Sequence, residues 1–433
     1  MRAWPTGGLW RHPDFLKLWS AETVSQLGTQ VSQLALPLAA ILVLDASAFQ
    51  VAFLTTVEFL PFVLLTLPAG VWVDRLRRKP ILVVADVGRA ALLATIPVAY
   101  ALDGLTIWQL YVVGFGVGAC TVFFDVSYQS YLPSLVDRDR LVEGNSKLEI
   151  SRSGAVIAGP GMAGALVGAL TAPYAIVVDA VSFLASAGFL FRIQAREQRP
   201  KRAASPSLGR ELWEGLRYLA RHRYWRPFAI CTATGNFFGN VTSSIFLVYA
   251  VRELGLSPQL IGLILIPAGV GGLAAALLAG RISSRSGVGA TIIGAAALFG
   301  PAYLLVPLAP VSFPIPFLVA SFALLGFSLV VYNVTGISLV QTLTPERLLG
   351  RLNASRRFIV WGTIPLGALV GGVLATTIGL RPTLWVGAAG SCLCFLPILL
   401  SPLRSLREMP AGQEPDPSPP LPAMRPTIAR LDA

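Results

Sequence analysis

Charge is what this chain has least of. Of its 433 residues only 13% are Asp, Glu, Lys or Arg, about half the ~25% of a soluble domain. With 54% hydrophobic residues and a mean hydropathy of +0.67, too little polar surface remains to cover a globule in water, which excludes a soluble fold. Histidine is down to two residues, His12 and His222, and cysteine to four, Cys120, Cys231, Cys392 and Cys394, all in apolar runs. None of the cysteines stands in ligand spacing with a histidine, so neither a zinc site nor a disulfide frame is expected. No G-x-x-x-x-G-K-[ST] loop occurs, which excludes nucleotide hydrolysis by the chain itself as an energy source, and no cofactor is expected. A polytopic membrane enzyme would need a clustered nucleophile or metal triad, and the sequence offers none. The first apolar run is too long, and too dotted with polar residues, for a signal-peptide core.

Long apolar runs are what the sequence has instead. A spanning helix needs about 20 mostly apolar residues. Blocks of that kind lie at 15–44, 49–73, 81–102, 107–131, 153–171, 173–193, 227–250, 259–280, 289–309, 314–340, 356–377 and 381–402, giving twelve spans with short turns. The first is over-long and is expected to begin as an interfacial segment around "RHPDFLKLW". The net charge of +12 need not mean nucleic acid, because cytoplasmic loops of membrane proteins carry excess Lys and Arg. With both termini cytoplasmic, 31 of the 34 basic residues fall in inside segments, and only Arg89, Arg252 and Arg381 do not. That skew predicts an all-α polytopic protein of a cytoplasmic membrane with both ends inside.

The spans form two sets of six. Residues 194–226 are the longest polar interruption, and Leu208, Leu212, Leu216 and Leu219 place an apolar stripe on one face of a helix there. "AGVWVDR" at 69 matches "AGRISSR" at 279, a shift of 210, and "DRLVEGNSKLEISRS" at 139 resembles "ERLLGRLNASRRF" at 346 at nearly the same offset. Duplicated six-helix bundles follow: an N-half at 1–193, a linker with an amphipathic helix at 194–226, a C-half at 227–403, and a Pro-rich tail at 404–433 expected to be disordered. The default expectation is a monomer.

Residues 69–80, "AGVWVDRLRRKP", carry the densest small charge cluster. With Gly70, Asp74, Arg75, Arg78 and Lys79 they resemble the loop motif G-x-x-x-D-R-x-G-R-[KR] between spans 2 and 3 of the major facilitator superfamily, Arg77 standing where Gly is usual. More narrowly, "LPAGVWVDRLRRKPILVVADVGRA", "VFFDVSYQSYLPSLVDRDRLVEGN" and "VVDAVSFLASA" resemble the drug:proton antiporter group that includes macrolide and enterobactin exporters, the transmembrane secretion effector type. Span 5, "GAVIAGPGMAGALVGAL", is similar to the antiporter motif G-P-x-x-G-G through Gly159, Pro160 and Gly164, with Ala163 in place of the first Gly of the pair. Small residues let helices approach, and Pro160 removes a backbone bond and bends the helix. The resemblance implies an exporter of hydrophobic or amphipathic small molecules, such as drugs, macrolides or siderophores, working by proton antiport and alternating access. It also implies that Asp74 latches the two halves on the cytoplasmic side. An uptake permease or an uncoupled facilitator of the same fold is the alternative. The family's span-4 arginine is missing from "QLYVVGFGVGAC", so coupling through that residue is not expected.

Acids inside a membrane are costly and usually functional. Glu22, Glu58, Asp86, Asp125 and Asp179 fall in or at the edges of first-half spans, with no counterpart in the second half. Glu22 is the leading proton-carrier candidate: Gln26, Gln30 and Gln33 follow it on one face of span 1, a stripe that serves a cavity or a seam between helices. Asp86 and Arg89, at i, i+3 on span 3, can pair, and Asp125 shares a face of span 4 with Gln129. In the second half, Asn236, Phe237, Tyr332 and Asn333 are the candidate cavity lining, for which helix–helix hydrogen bonding is an equal alternative.

Overall fold

The structure, a computed structural model, describes residues 8–73, 75–195, 197, 208–344 and 346–407. It is all helical: α1 (Pro13–Leu42), α2 (Ala48–Val73), α3 (Arg78–Ala101), α4 (Ile107–Leu135), α5 (Leu141–Leu170), α6 (Ala172–Phe191), α7 (Leu208–Arg221), α8 (Trp225–Arg252), α9 (Pro258–Ser286), α10 (Val288–Leu308), α11 (Ile315–Leu343), α12 (Glu346–Thr377), α13 (Leu380–Cys392) and α14 (Leu396–Leu399). Ten stretches among the described residues are long and apolar enough to cross a membrane, α13 and α14 counting as one. The remaining membrane-length helices, α1 and α8, are polar for a reason. They open the two halves, and Gln30 and Gln33 of α1 with Thr242 and Ser243 of α8 line the space between them. The protein is a polytopic membrane protein of two six-helix bundles.

Each chain segment begins and ends its helices by ordinary means. Helix α1 is continuous from Pro13, capped by His12 Nδ1, which accepts from Phe15 N at 3.1 Å, and Phe15 and Leu18 are buried in the N-half. Its first turn grips the end of α6. Asp14 accepts from the amides of Gln194 and Ala195, and Lys17 Nζ donates to Arg192 O at 2.9 Å, a cation on a helix C-terminus.

The internal repeat is visible atom by atom at the shift of 210. Helix α1 ends with Leu44 N bonded to Ala39 O and Ala46 N to Ala40 O, and α8 ends with Leu254 N to Tyr249 O and Leu256 N to Ala250 O. The turn residues are Asp45 and Gly255, both at positive φ (46° and 63°). Ser47 and Ser257 then accept from the amides three residues on, opening α2 and α9 alike. Gly is the usual residue at such a position. Asp45 takes it in the first copy, where its carboxylate accepts from Arg252 Nη2 at 2.6 Å, and the same nitrogen donates to Ala46 O at 2.9 Å. This contact joins the halves on the side away from the basic loops.

Glycines on the facing helices show how the halves meet. Away from the basic side, a Cβ on Gly164 of α5 would lie 2.5 Å from Pro258 O and 2.9 Å from Gly262 Cα of α9, and one on Gly372 of α12 would lie 2.8 Å from Ala52 Cβ of α2. Toward the basic side, Gly70 (α2), Gly154 (α5), Gly280 (α9) and Gly362 (α12) have nothing within 4 Å. The facing glycines are therefore close-packed at the end away from the basic loops and uncrowded toward them. Helix α7 packs on α8 and α12, burying Leu219 beside Trp225 while Trp213 stays exposed.

Candidate functional site

Two polar regions share helix α1. The first is a buried charge cluster inside the N-half. Asp86 is fully buried and is held by Arg89 through a very short contact to one carboxylate oxygen, while Ser186 of α6 donates to the other at 2.6 Å. The Arg89 guanidinium lies between two rings, 4.3 Å from the centroid of Phe124 and 4.1 Å from that of Phe183, so cation–π attraction supplements the ion pair. Glu22, nearly buried, accepts from Gln26 Nε2 at 2.8 Å through Oε1. It lies within electrostatic reach of Asp86, Arg89 and Asp125. Its Oε2, the Tyr128 hydroxyl and the Ser127 hydroxyl are buried and make no hydrogen bond. Buried polar atoms are normally paired, and these three are exceptions. Asp86 pairs with the guanidinium, and Glu22 and Asp125 lie within its electrostatic reach, so acids outnumber the cation in this region.

The second region is a cavity of about 260 Å³ between the halves. Gln30 and Gln33 of α1, Thr242 and Ser243 of α8, and Tyr303 of α10 supply its polar lining, and Pro160 of α5 and Phe246 of α8 part of its apolar wall. Gln30 is eight residues beyond Glu22, about 12 Å along α1 at about 1.5 Å per residue. The span-5 motif builds the wall of this cavity. A Cβ on Gly159 would lie 2.4 Å from Gln30 Cβ, so its absence lets α5 reach α1, while Gly164 meets Gly262 of α9. Pro160 faces the cavity between these two crossings.

The other second-half candidates lie elsewhere. Tyr332 is buried, stacked on Phe228 with centroids 5.1 Å apart, and its hydroxyl shares a 2.7 Å hydrogen bond with Thr232. It belongs to the packed interior of the C-half. Asn236 receives on its backbone oxygen the side chain of Asn240, Phe237 packs edge-on against Phe238, and Asn333 is exposed. None of these four lines the 260 Å³ cavity. Glu58 is set against Gly114 and Gly118 of α4, and Asp179 of α6 is buried against Gly28 of α1.

In the charged loop, Asp74 lies outside the described residues, and Arg75 is exposed. Arg78 and Lys79 point into their own half. The Glu197 carboxylate accepts from Arg78 N at 2.8 Å and from Lys79 N at 3.4 Å, an anionic cap on the bare N-terminus of α3. Lys79 Nζ donates to Ile193 O at 2.6 Å. Between the halves on this side, Arg357 Nη1 of α12 donates to Gln129 Oε1 of α4 at 3.3 Å.

The transmembrane secretion effector family matches residues 8–426. The chain belongs to that family of major facilitators. It is a transporter, not an enzyme. Among curated relatives, the multidrug efflux pump Tap of Mycolicibacterium fortuitum is 27% identical over 390 residues, covering 86% of this chain and 91% of that protein. Macrolide efflux protein A of Streptococcus pyogenes is 22% identical, covering 91% and 97%. Among solved structures, a bacterial homologue of the iron transporter ferroportin superposes in its inward-facing state with a TM-score of 0.73, at 18% identity and 91% and 99% coverage. Its outward-facing state gives 0.58 at 89% and 98% coverage.

The sequence offers Glu22, Asp125, Asp86 and Arg89 as coupling residues and Gln26 and Gln30 as cavity lining; in the structure Gln30 lines the cavity, whereas Gln26 does not and instead donates to Glu22. Sequence reasoning missed Phe124, Phe183, Ser186, Tyr128 and Glu197. Only Ser186 left a signal, in the D-x-x-S-x-x-x-S spacing of Asp179, Ser182 and Ser186 along one face of α6. Gln33 was on the span-1 stripe, but Thr242, Ser243 and Tyr303 were missed as its partners in a shared lining, because nothing local says which helix faces meet.

Proposed function

We propose that this transporter exports hydrophobic or amphipathic small molecules across the cell membrane in exchange for protons, with the basic side in the cytoplasm. The efflux relatives and the positive-inside distribution of Lys and Arg support the direction and the orientation. The observation that carries the coupling is the placement of a half-paired Glu22 and a ligand-sized cavity on one helix, α1, about 12 Å apart. Glu22 and Asp125 take and release the proton around the Asp86–Arg89 pair. Gly159, Pro160 and Gly164 let α5 pivot against α1 and α9 while the 1–193 and 227–403 halves rock about the 194–226 linker. Opened toward the basic side, the molecule is then inward-facing, with the Arg252–Asp45 contact closing the outside. In the outward-facing state Asp74, with Arg75 and the loop around Gly70, latches the inside. The protein acts as a monomer in this scheme.

The test is drug accumulation in cells lacking their own pumps, followed by uptake into inside-out vesicles under an imposed proton gradient. The reading expects at least one macrolide or other amphipathic drug to be concentrated in such vesicles and the gradient to drive it. Accumulation in intact cells, or flux indifferent to the gradient, would instead identify an uptake permease or a facilitator.

A further inference from the structure

We infer that the central cavity selects molecules without net charge, amphipathic and rich in hydrogen-bonding groups, and discriminates against permanent cations and anions. The inference rests on the efflux reading only in taking this cavity as the cargo site. Its polar lining consists of amides and hydroxyls, Gln30, Gln33, Thr242, Ser243 and Tyr303. Among the described residues no carboxylate, guanidinium or ammonium lines it. The acids of the N-half stand apart: Glu22 is about 12 Å away along α1, and Asp179 sits behind α1 at Gly28. A cation entering this space would leave water without meeting an anion, which is the costly case for a buried charge.

A neutral polar molecule meets the opposite situation. The Gln30 and Gln33 side chains make no hydrogen bond within the described protein, so each offers two amide donors and a carbonyl acceptor. Gln33 is exposed, and Ser243 and Tyr303 complete the polar lining. Phe246 and Phe322, packed edge to face at 5.0 Å, receive the apolar part of the ligand. The division is one of labour along α1, with charge handled by the cluster at Glu22 and an uncharged cargo at Gln30 and Gln33.

The experiment is equilibrium binding to the purified full chain with three probes: uncharged N-phenyl-1-naphthylamine, its sulfonated relative 8-anilinonaphthalene-1-sulfonate, and the cation tetraphenylphosphonium. Gln33→Glu and Gln30→Glu are measured beside the wild type, so that partition into detergent cancels in the comparison. The wild type is expected to bind the naphthylamine about tenfold or more tightly than either ion, and each Glu variant to gain about tenfold for tetraphenylphosphonium. Tetraphenylphosphonium bound by the wild type as tightly as the naphthylamine overturns the inference, as does an order of affinities unchanged in both variants, or binding of none of the three. Binding that follows the expected order without proton-driven transport leaves this inference standing and removes the efflux reading alone.

Discussion

Arg89 shows how much a single residue inside a membrane can organise. Its guanidinium pairs with Asp86, stacks between Phe124 and Phe183, and lies within electrostatic reach of Glu22. Arg89→Ala would leave Asp86 buried and unpaired, a change that costs about 3–5 kcal/mol, so thermal unfolding in detergent should fall by many degrees. Arg89→Lys should rescue only part of that loss, because an ammonium keeps the charge but not the planar stacking. Full rescue by Lys would mean that the two rings contribute nothing. The Asp86–Arg89 pair was legible because i, i+3 spacing is local. The rings and Ser186 were not, because they arrive from α4 and α6 and no spacing along the chain announces them. Tyr332 illustrates the converse error: an aromatic polar residue reads as cavity lining, yet here its hydroxyl satisfies Thr232 and its ring fills the core.

At the scale of elements, polarity and glycine decide the arrangement. Helices α1 and α8 carry so many amides and hydroxyls that they fall short of the hydropathy of the other spans, and their polar faces make the cavity. Both were found by counting apolar blocks with tolerance for polar residues. What counting could not supply was the partner of each small residue. Gly164 was legible as a motif position, Gly262 was not, and their contact is what closes α5 on α9. Gly164→Leu should wedge the two helices apart. In a chain with its four cysteines replaced by serine and Gln33 by cysteine, an impermeant maleimide added from the side opposite the basic loops should then label residue 33 readily. Equal labelling without the Gly164 change would show that the seal lies elsewhere. The Glu197 cap belongs to this scale too. Glu197→Ala removes an anion from the start of α3, and about 0.5–2 kcal/mol of stability should go with it, read as a lower unfolding temperature. An unchanged temperature would make Glu197 incidental to α3.

For the whole molecule, the repeat at 210 residues foretold two similar bundles, and the matched turns at Asp45 and Gly255 show how literally the copy is kept. Which ends of the bundles touch was beyond the sequence, since one chain serves more than one arrangement. The outer contact gives a direct handle on that. Asp45→Cys with Arg252→Cys should cross-link on oxidation, arrest transport, and recover on reduction, whereas transport undiminished by a complete cross-link would show that the outside need not open there.

Glu22→Gln probes the division between a proton site and an uncharged cargo site most directly, once a transported drug is in hand. In proteoliposomes it should abolish concentration of the drug under a proton gradient while leaving drug-for-drug counterflow near the wild-type rate, because the cavity at Gln30 and Gln33 is intact and only the carrier carboxyl is fixed in its neutral form. Gradient-driven concentration at the wild-type rate in that variant would contradict the account, and so would the loss of counterflow together with it.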